Sequence, residues 1–162
     1  MADISIDISN RQRIVPVDRR RLEEVARAVL AAEGVTTAEL CIVVVNDRRI
    51  AAVHAEWLDD PTPTDVITFD LGGDDDPALR GDIIVSAETA IREARRLAPS
   101  RQGWTPDHEL AYYLVHGILH LTGYDDRATA DRRRMRARER AVMKAAALPP
   151  PPRRPPHRGS RH

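Results

Sequence analysis

The spacing of apolar residues predicts a strand and then a helix at the start of the chain. From Ile4 to Ile8 every second residue is isoleucine and the residues between are polar, as in a strand with one buried face. From Asp18, which can cap a helix, to about Glu33, apolar residues recur every three or four positions. Gly34 can end this helix.

Three more strands are expected in the first half of the chain. Residues 40–45 form a continuous apolar run, which is typical of a central strand. Residues 65–69 and 81–85 are shorter apolar runs that follow turn-forming residues. Between the first two of these strands, Asp47 is expected to cap a short helix that runs through Trp57.

Helices dominate the second half of the chain. Ser86 can cap one helix, and Thr105 followed by Pro106 is a strong start for a second. Gly123 can end that second helix, and a third helix is expected after it. The predicted bounds are 86–97, 105–121 and 126 or 127 to 147.

Four strands with interspersed helices, followed by two C-terminal helices, predict an α/β or α+β layer fold. A chain of 162 residues suits one domain, expected over residues 1–147. From residue 148 the composition changes to proline and arginine, which predicts a disordered tail over 148–162. The sequence shows no signal peptide, and no apolar run approaches the roughly 20 residues of a membrane helix. A protein of the cytoplasm, without membrane contact, is therefore expected.

The net charge of zero conceals a strong asymmetry. Residues 127–162 carry 12 of the 25 lysines and arginines and only two acids, a net charge of +10, so the first 126 residues carry −10. An acidic body with a basic C-terminal arm suggests contact with a polyanion. A solvated basic helix and a disordered tail would give the same asymmetry.

The residues from His116 to Asp126 carry the clearest chemistry. His116 and His120 are four apart, so they project from one helix face and could bind one metal ion. Gly123 can turn the chain back and bring Asp126 to the same ion as a third ligand. Three protein ligands leave an open position, as in catalytic zinc sites, and zinc is the expected ion. Iron is the less favoured metal. The alternative to a metal site is that the two histidines share this spacing by chance and have only a structural role.

The residue after the first histidine argues against a peptidase. Zinc proteases with this histidine spacing place a glutamate there as general base, whereas this chain has Gly117. A glycine cannot activate water, but it lets another segment pack close to the helix. Glu109, two turns before His116, could reach the edge of the site or serve as a first-turn acid favoured by the helix dipole.

These residues resemble a known family. The stretch from His116 to Asp126 resembles the signature of the YbeY family of bacterial rRNA-maturation endoribonucleases, which in most members ends in a third histidine. Residues 63–69 and 81–86 resemble the second and third motifs of that family. Met135 and Glu139 fall where its last helix carries Met and Glu.

The resemblance, over residues 40 to 143, implies a single α+β domain with a four-stranded mixed sheet, a metal-binding helix and a basic C-terminal helix. It implies an endoribonuclease with one Zn²⁺ per chain that prefers single strands. The implied roles are 16S rRNA 3′-end maturation and ribosome quality control. The implied partners are single-stranded rRNA, the small ribosomal subunit and its assembly factors. We expect a monomer.

The resemblance also extends the set of candidate residues. Asp65 and Asp82 could be active-site acids or partners of the histidines, or they could organise a turn and open a strand. Arg132, Arg133 and Arg136 could bind RNA phosphates, or they could belong to a solvated helix face.

The sequence departs from the family pattern at two places. Asp126 replaces the third histidine, and Trp57-Leu58 stand where most members carry a Tyr-Arg pair. Leu58 cannot replace an arginine that binds phosphate. This leaves a second hypothesis, a ribosome-assembly binding factor with a structural metal and weak or no catalysis.

Overall fold

The computed structural model describes residues 2–152 and 160–161. Its mixed sheet has the strand order β1-β2-β4-β3, in which β1, β2 and β4 are parallel and β3 is antiparallel to β4. The strands are β1 (Asp3–Asn10), β2 (Thr37–Val45), β3 (Val66–Asp70) and β4 (Leu79–Ser86). The helices are α1 (Arg19–Ala32), α2 (Asp47–Leu58), α3 (Ala87–Leu97), α4 (Pro106–Leu121) and α5 (Thr129–Ala145). The expected α+β domain with a four-stranded mixed sheet is confirmed.

Alternate residues of the strands feed two hydrophobic clusters, one on each face of the sheet. In β2, Leu40, Ile42 and Val44 point into the main core with the buried faces of α1, α3 and α4. The opposite face is covered by α2, where Ile50 packs with Ile67 of β3 in a smaller cluster. The larger cluster therefore lies beside α4, the helix that carries both histidines.

Helix α4 has the start and the end that the sequence predicts. Thr105 Oγ1 accepts a hydrogen bond from His108 N at 3.2 Å, and Thr105 N donates to His108 Nδ1 at 3.1 Å, which closes a capping box before Pro106. Gly123 has φ of 113°, a conformation that residues with a side chain rarely adopt. Glu109 is fully buried, and its carboxylate accepts the indole N–H of Trp104 at 2.8 Å.

Gly117 has no side chain, which lets α4 pack close to the sheet. A Cβ on Gly117 would lie 3.1 Å from Cγ2 of Thr68 and 3.2 Å from Cγ2 of Ile83. These contacts are tighter than ordinary van der Waals distances, so with a larger residue at this position Thr68 and Ile83 or the helix itself would have to shift by a few tenths of an ångström. The expectation that Gly117 permits close packing is confirmed, and the packing fixes the height of His116 and His120 above the sheet.

Two predicted helix starts were wrong. The cap of α2 is Asn46, whose Oδ1 accepts from Arg49 N at 2.9 Å. Asp47 is already helical, and its carboxylate accepts from Ser86 Oγ at 2.6 Å and Thr89 Oγ1 at 2.7 Å instead. The last helix begins at Thr129 rather than at 126 or 127 and ends at 145, because the residues after Gly123 form a loop with its own hydrogen bonds.

The C-terminal segment is described only in part. Leu148 packs against the main core, and the two-residue strand β5 (Ser160–Arg161) pairs in parallel with β3. Residues 153–159 and 162 lie outside the described residues, so the disordered tail over 148–162 stays a prediction. Among the described helices, none has the length and apolar character that crossing a membrane requires.

Candidate metal centre

Two imidazoles meet on the C-terminal half of α4. His116 and His120 are one turn apart, and their rings lie edge to face with centroids 4.5 Å apart. The two Nε2 atoms are 3.0 Å apart. Both side chains are buried, with exposed fractions of 3% and 6%. The predicted one-face arrangement therefore places two nitrogen donors at one point.

The loop after α4 brings a carboxylate to the same point. Asp126 Oδ2 lies 3.6 Å from His116 Nε2 and 3.4 Å from His120 Nε2. Asp125 holds the loop in this shape, since its Oδ1 accepts from the backbone N of Asp126 at 2.7 Å and of Arg127 at 3.1 Å. Asp125 thus stabilises the loop that carries Asp126.

The donor set fits a divalent metal ion. One ligand atom from each of His116, His120 and Asp126 lies within 4.8 Å of the other two. Asp126 Oδ2 is buried and makes no hydrogen bond within the described residues, although the two Nε2 atoms surround it. A buried carboxylate oxygen without a hydrogen bond is costly, and a cation between the three atoms would remove that cost. Two imidazoles and one carboxylate are ligands that zinc accepts.

The charges of His116 and Asp126 also favour a bound cation. Burial raises the pKa of the Asp126 carboxyl, but the neighbouring His116 and His120 outweigh it and hold that pKa well below its usual range. Burial lowers the pKa of His116, whereas Asp126 and Glu139 raise it more, so it lies above its usual value. Asp126 is therefore an anion at neutral pH and draws positive charge to this point.

A second layer of contacts orients both rings. His116 Nδ1 donates to Oε2 of Glu139 at 2.5 Å, and His120 Nδ1 donates to the carbonyl oxygen of Tyr124 at 3.0 Å. The hydroxyl of Tyr112 donates to both Glu139 oxygens, at 3.1 and 3.2 Å. With each Nδ1 occupied, each Nε2 is the nitrogen left for an ion, the arrangement found around metal-bound histidines.

Comparison with known proteins decides the family. The family model described as endoribonuclease YbeY matches residues 7–147. The chain belongs to the YbeY family. This confirms the resemblance, with an extent wider than the expected residues 40 to 143.

Curated relatives agree with the family model. A protein of Geobacter sulfurreducens named endoribonuclease YbeY is 39% identical over 146 residues, covering 86% of this chain and 94% of its own length. One of Thermobifida fusca with the same name is 35% identical over 141 residues, covering 82% and 87%. A protein of Thermotoga maritima with a solution structure superposes with a TM-score of 0.57 at 22% identity, over 92% of this chain and 99% of that one. This last likeness concerns the fold alone.

The two other predicted acids do not belong to the group of side chains that could hold a metal ion. Asp65 Oδ1 accepts from Val66 N at 2.8 Å and from Thr64 Oγ1 at 3.3 Å, so it organises the turn before β3. Asp82 alternates in β4 with Gly81 and Ile83, which face α4, so its side chain lies on the opposite face of the sheet. The structure thus favours the turn role for Asp65 and places Asp82 away from the histidines.

The three predicted RNA-binding arginines differ in their contacts. Arg132 donates through Nη1 to the carbonyl oxygen of Arg127 at 2.7 Å and through Nη2 to Thr129 Oγ1 at 3.1 Å, so it supports the loop that carries Asp126. Arg133 and Arg136 make no ion pair in the part of the chain that the structure describes. Arg132 therefore supports this loop, whereas no such contact is seen for the other two.

The resemblance included Glu139 but did not give it a role, and Tyr112 was not singled out at all. Glu139 is buried although α5 is otherwise strongly basic. A sequence signal for this exists, because Glu139 stands four residues after Met135 and four before Met143, on the apolar stripe of the helix. Which side chain it meets depends on how α5 packs on α4, and the sequence pattern does not contain that information.

The departures from the family pattern have clear structural positions. Leu58 is partly buried against the small cluster formed by Val45, Ile50 and Ile67, so it contributes packing and no charge. Trp57 is 55% exposed, and its ring meets that of Phe69 edge to face with centroids 5.8 Å apart. Trp57 therefore packs against Phe69 and leaves more than half of its surface exposed.

Proposed function

We propose that this protein is a zinc-dependent endoribonuclease that cleaves single-stranded RNA during 16S rRNA 3′-end maturation and ribosome quality control. Membership of the YbeY family supports the endoribonuclease activity. We propose further that it acts as a cytoplasmic monomer, with one Zn²⁺ per chain, in contact with the small ribosomal subunit and its assembly factors.

One observation carries the proposal. Asp126 Oδ2, a buried anionic oxygen with no hydrogen bond among the described residues, stands 3.4 and 3.6 Å from two Nε2 atoms. These three atoms would hold the ion, and three protein ligands leave a position open to a substrate oxygen. When bound, a divalent cation supplies Lewis acidity to the scissile phosphodiester.

The chain's own residues prepare the site for that ion. Glu139 and the Tyr124 carbonyl oxygen fix each proton on Nδ1 and so keep both Nε2 atoms directed at Asp126. Asp125 and Arg132 hold the loop that positions the carboxylate. Zinc is favoured because it accepts a mixed nitrogen and oxygen donor set, and iron is the alternative.

The position of Leu58 favours a second candidate function. Leu58, at the place of the family's arginine, offers neither charge nor a hydrogen bond donor and lies against an apolar cluster. A protein that lacks this phosphate-binding group could act as a ribosome-assembly factor, with the metal serving only the structure.

A single-turnover assay separates the two functions. Purified protein in excess over a labelled single-stranded rRNA fragment should cleave it when loaded with zinc and should stop after addition of a chelator. Asp126→Ala should be inactive under both conditions, whereas Asp125→Asn should retain cleavage. Binding of the RNA without any cleavage by the zinc-loaded protein would refute the enzyme and support the assembly factor.

A further inference from the structure

Helix α5 contains seven basic residues, and their contacts divide them into two groups. In the first group, the side chains bind the protein itself. Arg132 supports the loop before the helix. Arg134 pairs with Asp131 at 3.7 Å, and Arg138 binds Glu33 at the end of α1. These three arginines are therefore occupied in the folded protein.

The second group forms a continuous line. Its members follow one another at intervals of three, four and four residues, so they lie on one face of the helix over a length of about 16 Å. No ion pair or side-chain hydrogen bond of theirs is found within residues 2–152 and 160–161. We call this group the basic row, which consists of Arg133, Arg136, Arg140 and Lys144.

The basic row runs beside the residues that support the metal centre. Arg136 lies one turn after Arg132, which holds the Asp126 loop, and three residues before Glu139, which binds His116. Residues with these spacings are neighbours on a helix surface. The flank that faces α1, in contrast, is closed by the ion pair of Arg138 with Glu33.

The electrostatics of α5 favour a negatively charged partner. Neither acid of the helix neutralises the basic row, because Asp131 pairs with Arg134 and Glu139 is buried. Like charges three and four residues apart repel one another, which destabilises the free helix slightly. A chain of phosphates would relieve this repulsion. The first 126 residues carry a net charge of −10 and would repel the same phosphates, so binding would be directed to α5.

We propose that the basic row binds the sugar–phosphate backbone of the single-stranded RNA and leads it to the metal centre. The inference rests on the proposed endoribonuclease function and names the substrate track for it. Compared with the RNA-binding residues expected from the sequence, the basic row leaves out Arg132 and adds Arg140 and Lys144.

Salt dependence of RNA binding tests the proposal. Full-length protein and a variant with Arg133→Gln, Arg136→Gln and Arg140→Gln would be titrated with a labelled oligouridine strand at several salt concentrations. Each lost phosphate contact should flatten the slope of log K against log salt by about 0.7, so the variant's slope should fall by up to about 2. Its affinity at low salt should fall about tenfold or more.

The matched control removes the same charge elsewhere. Arg19, Arg48 and Arg95 are exposed and make no ion pair within the described residues, and Arg→Gln changes at these three sites should leave the slope unchanged. If both variants flatten the salt slope equally, or if the slope of the α5 variant is unchanged, the proposal that the basic row binds RNA is wrong. If RNA binding depends on the basic row but the RNA is not cleaved, the basic row is supported and the proposed endoribonuclease activity is refuted. Absence of oligouridine binding by the unmodified protein would overturn both.

Discussion

The contact between Glu139 and His116 makes a quantitative prediction about metal affinity. The two side chains are 3 to 4% exposed, and Glu139 Oε2 is 2.5 Å from His116 Nδ1. Glu139→Gln keeps the shape of the side chain but removes its charge. Loss of such a carboxylate behind a metal-bound histidine lowers metal affinity by about 10- to 100-fold. This corresponds to about 1.4 to 2.7 kcal/mol of binding free energy.

Glutamine is preferred to alanine for this test. Alanine would leave the buried hydroxyl of Tyr112 and Nδ1 of His116 without their acceptor, at a cost of about 1 to 3 kcal/mol of stability for each group. Such a variant could lose zinc by unfolding. The amide of glutamine still offers one acceptor, so the fold should persist.

Zinc affinity would be measured by competition with a chromophoric chelator, and the melting temperature without metal would be measured alongside. Tyr112→Phe is the matched control, because it removes a hydroxyl that donates to Glu139 at 3.1 and 3.2 Å and leaves the charge in place. Its loss of affinity should be clearly smaller. A folded Glu139→Gln protein with unchanged zinc affinity would refute the role assigned to Glu139.

Three further predictions test other parts of the structure. Asp126→Ala should lose stoichiometric zinc and Asp126→His should retain it, as measured by metal analysis; zinc retained in Asp126→Ala but lost in Asp125→Ala would contradict the ligand assignment. Gly117→Ala should destabilise the protein by about 1 kcal/mol in urea unfolding, because the crowding of its Cβ against the buried methyl groups of Thr68 and Ile83 outweighs what alanine gains over glycine within a helix, whereas Gly73→Ala, with nothing within 4 Å, should not. Burial raises the pKa of Asp47, but hydrogen bonds from Ser86, Thr89 and Arg92 outweigh it and hold that pKa below its usual value. Its stabilising contribution should be complete above about pH 4 and be lost as the pH falls further. The stability difference between the unmodified protein and Asp47→Asn should therefore shrink between pH 6 and pH 3, and a constant difference would refute this.

Local signals in the sequence were sufficient for most of the secondary structure and for the metal-binding triad. The alternation from Ile4 to Ile8, the capping pair at Thr105 and Pro106, and the turn at Gly123 each depend on residues close together in the chain. The triad belongs to the same class, because helix geometry and one glycine turn bring His116, His120 and Asp126 together without help from distant segments.

The tertiary structure decided what depends on packing between distant segments. Asp82 was a reasonable candidate until the strand register showed that Gly81 and Ile83 face α4 and Asp82 does not. Glu139 lies 23 residues from His116 in the chain, and its contact exists only because α5 packs on α4. The division of the α5 arginines into bound and available groups likewise required the positions of Glu33, which caps the C-terminus of α1, and of the loop before α5. A local pattern specifies which face of an element is apolar, but a partner across the core is set by the packing of whole elements, which no short stretch of sequence contains.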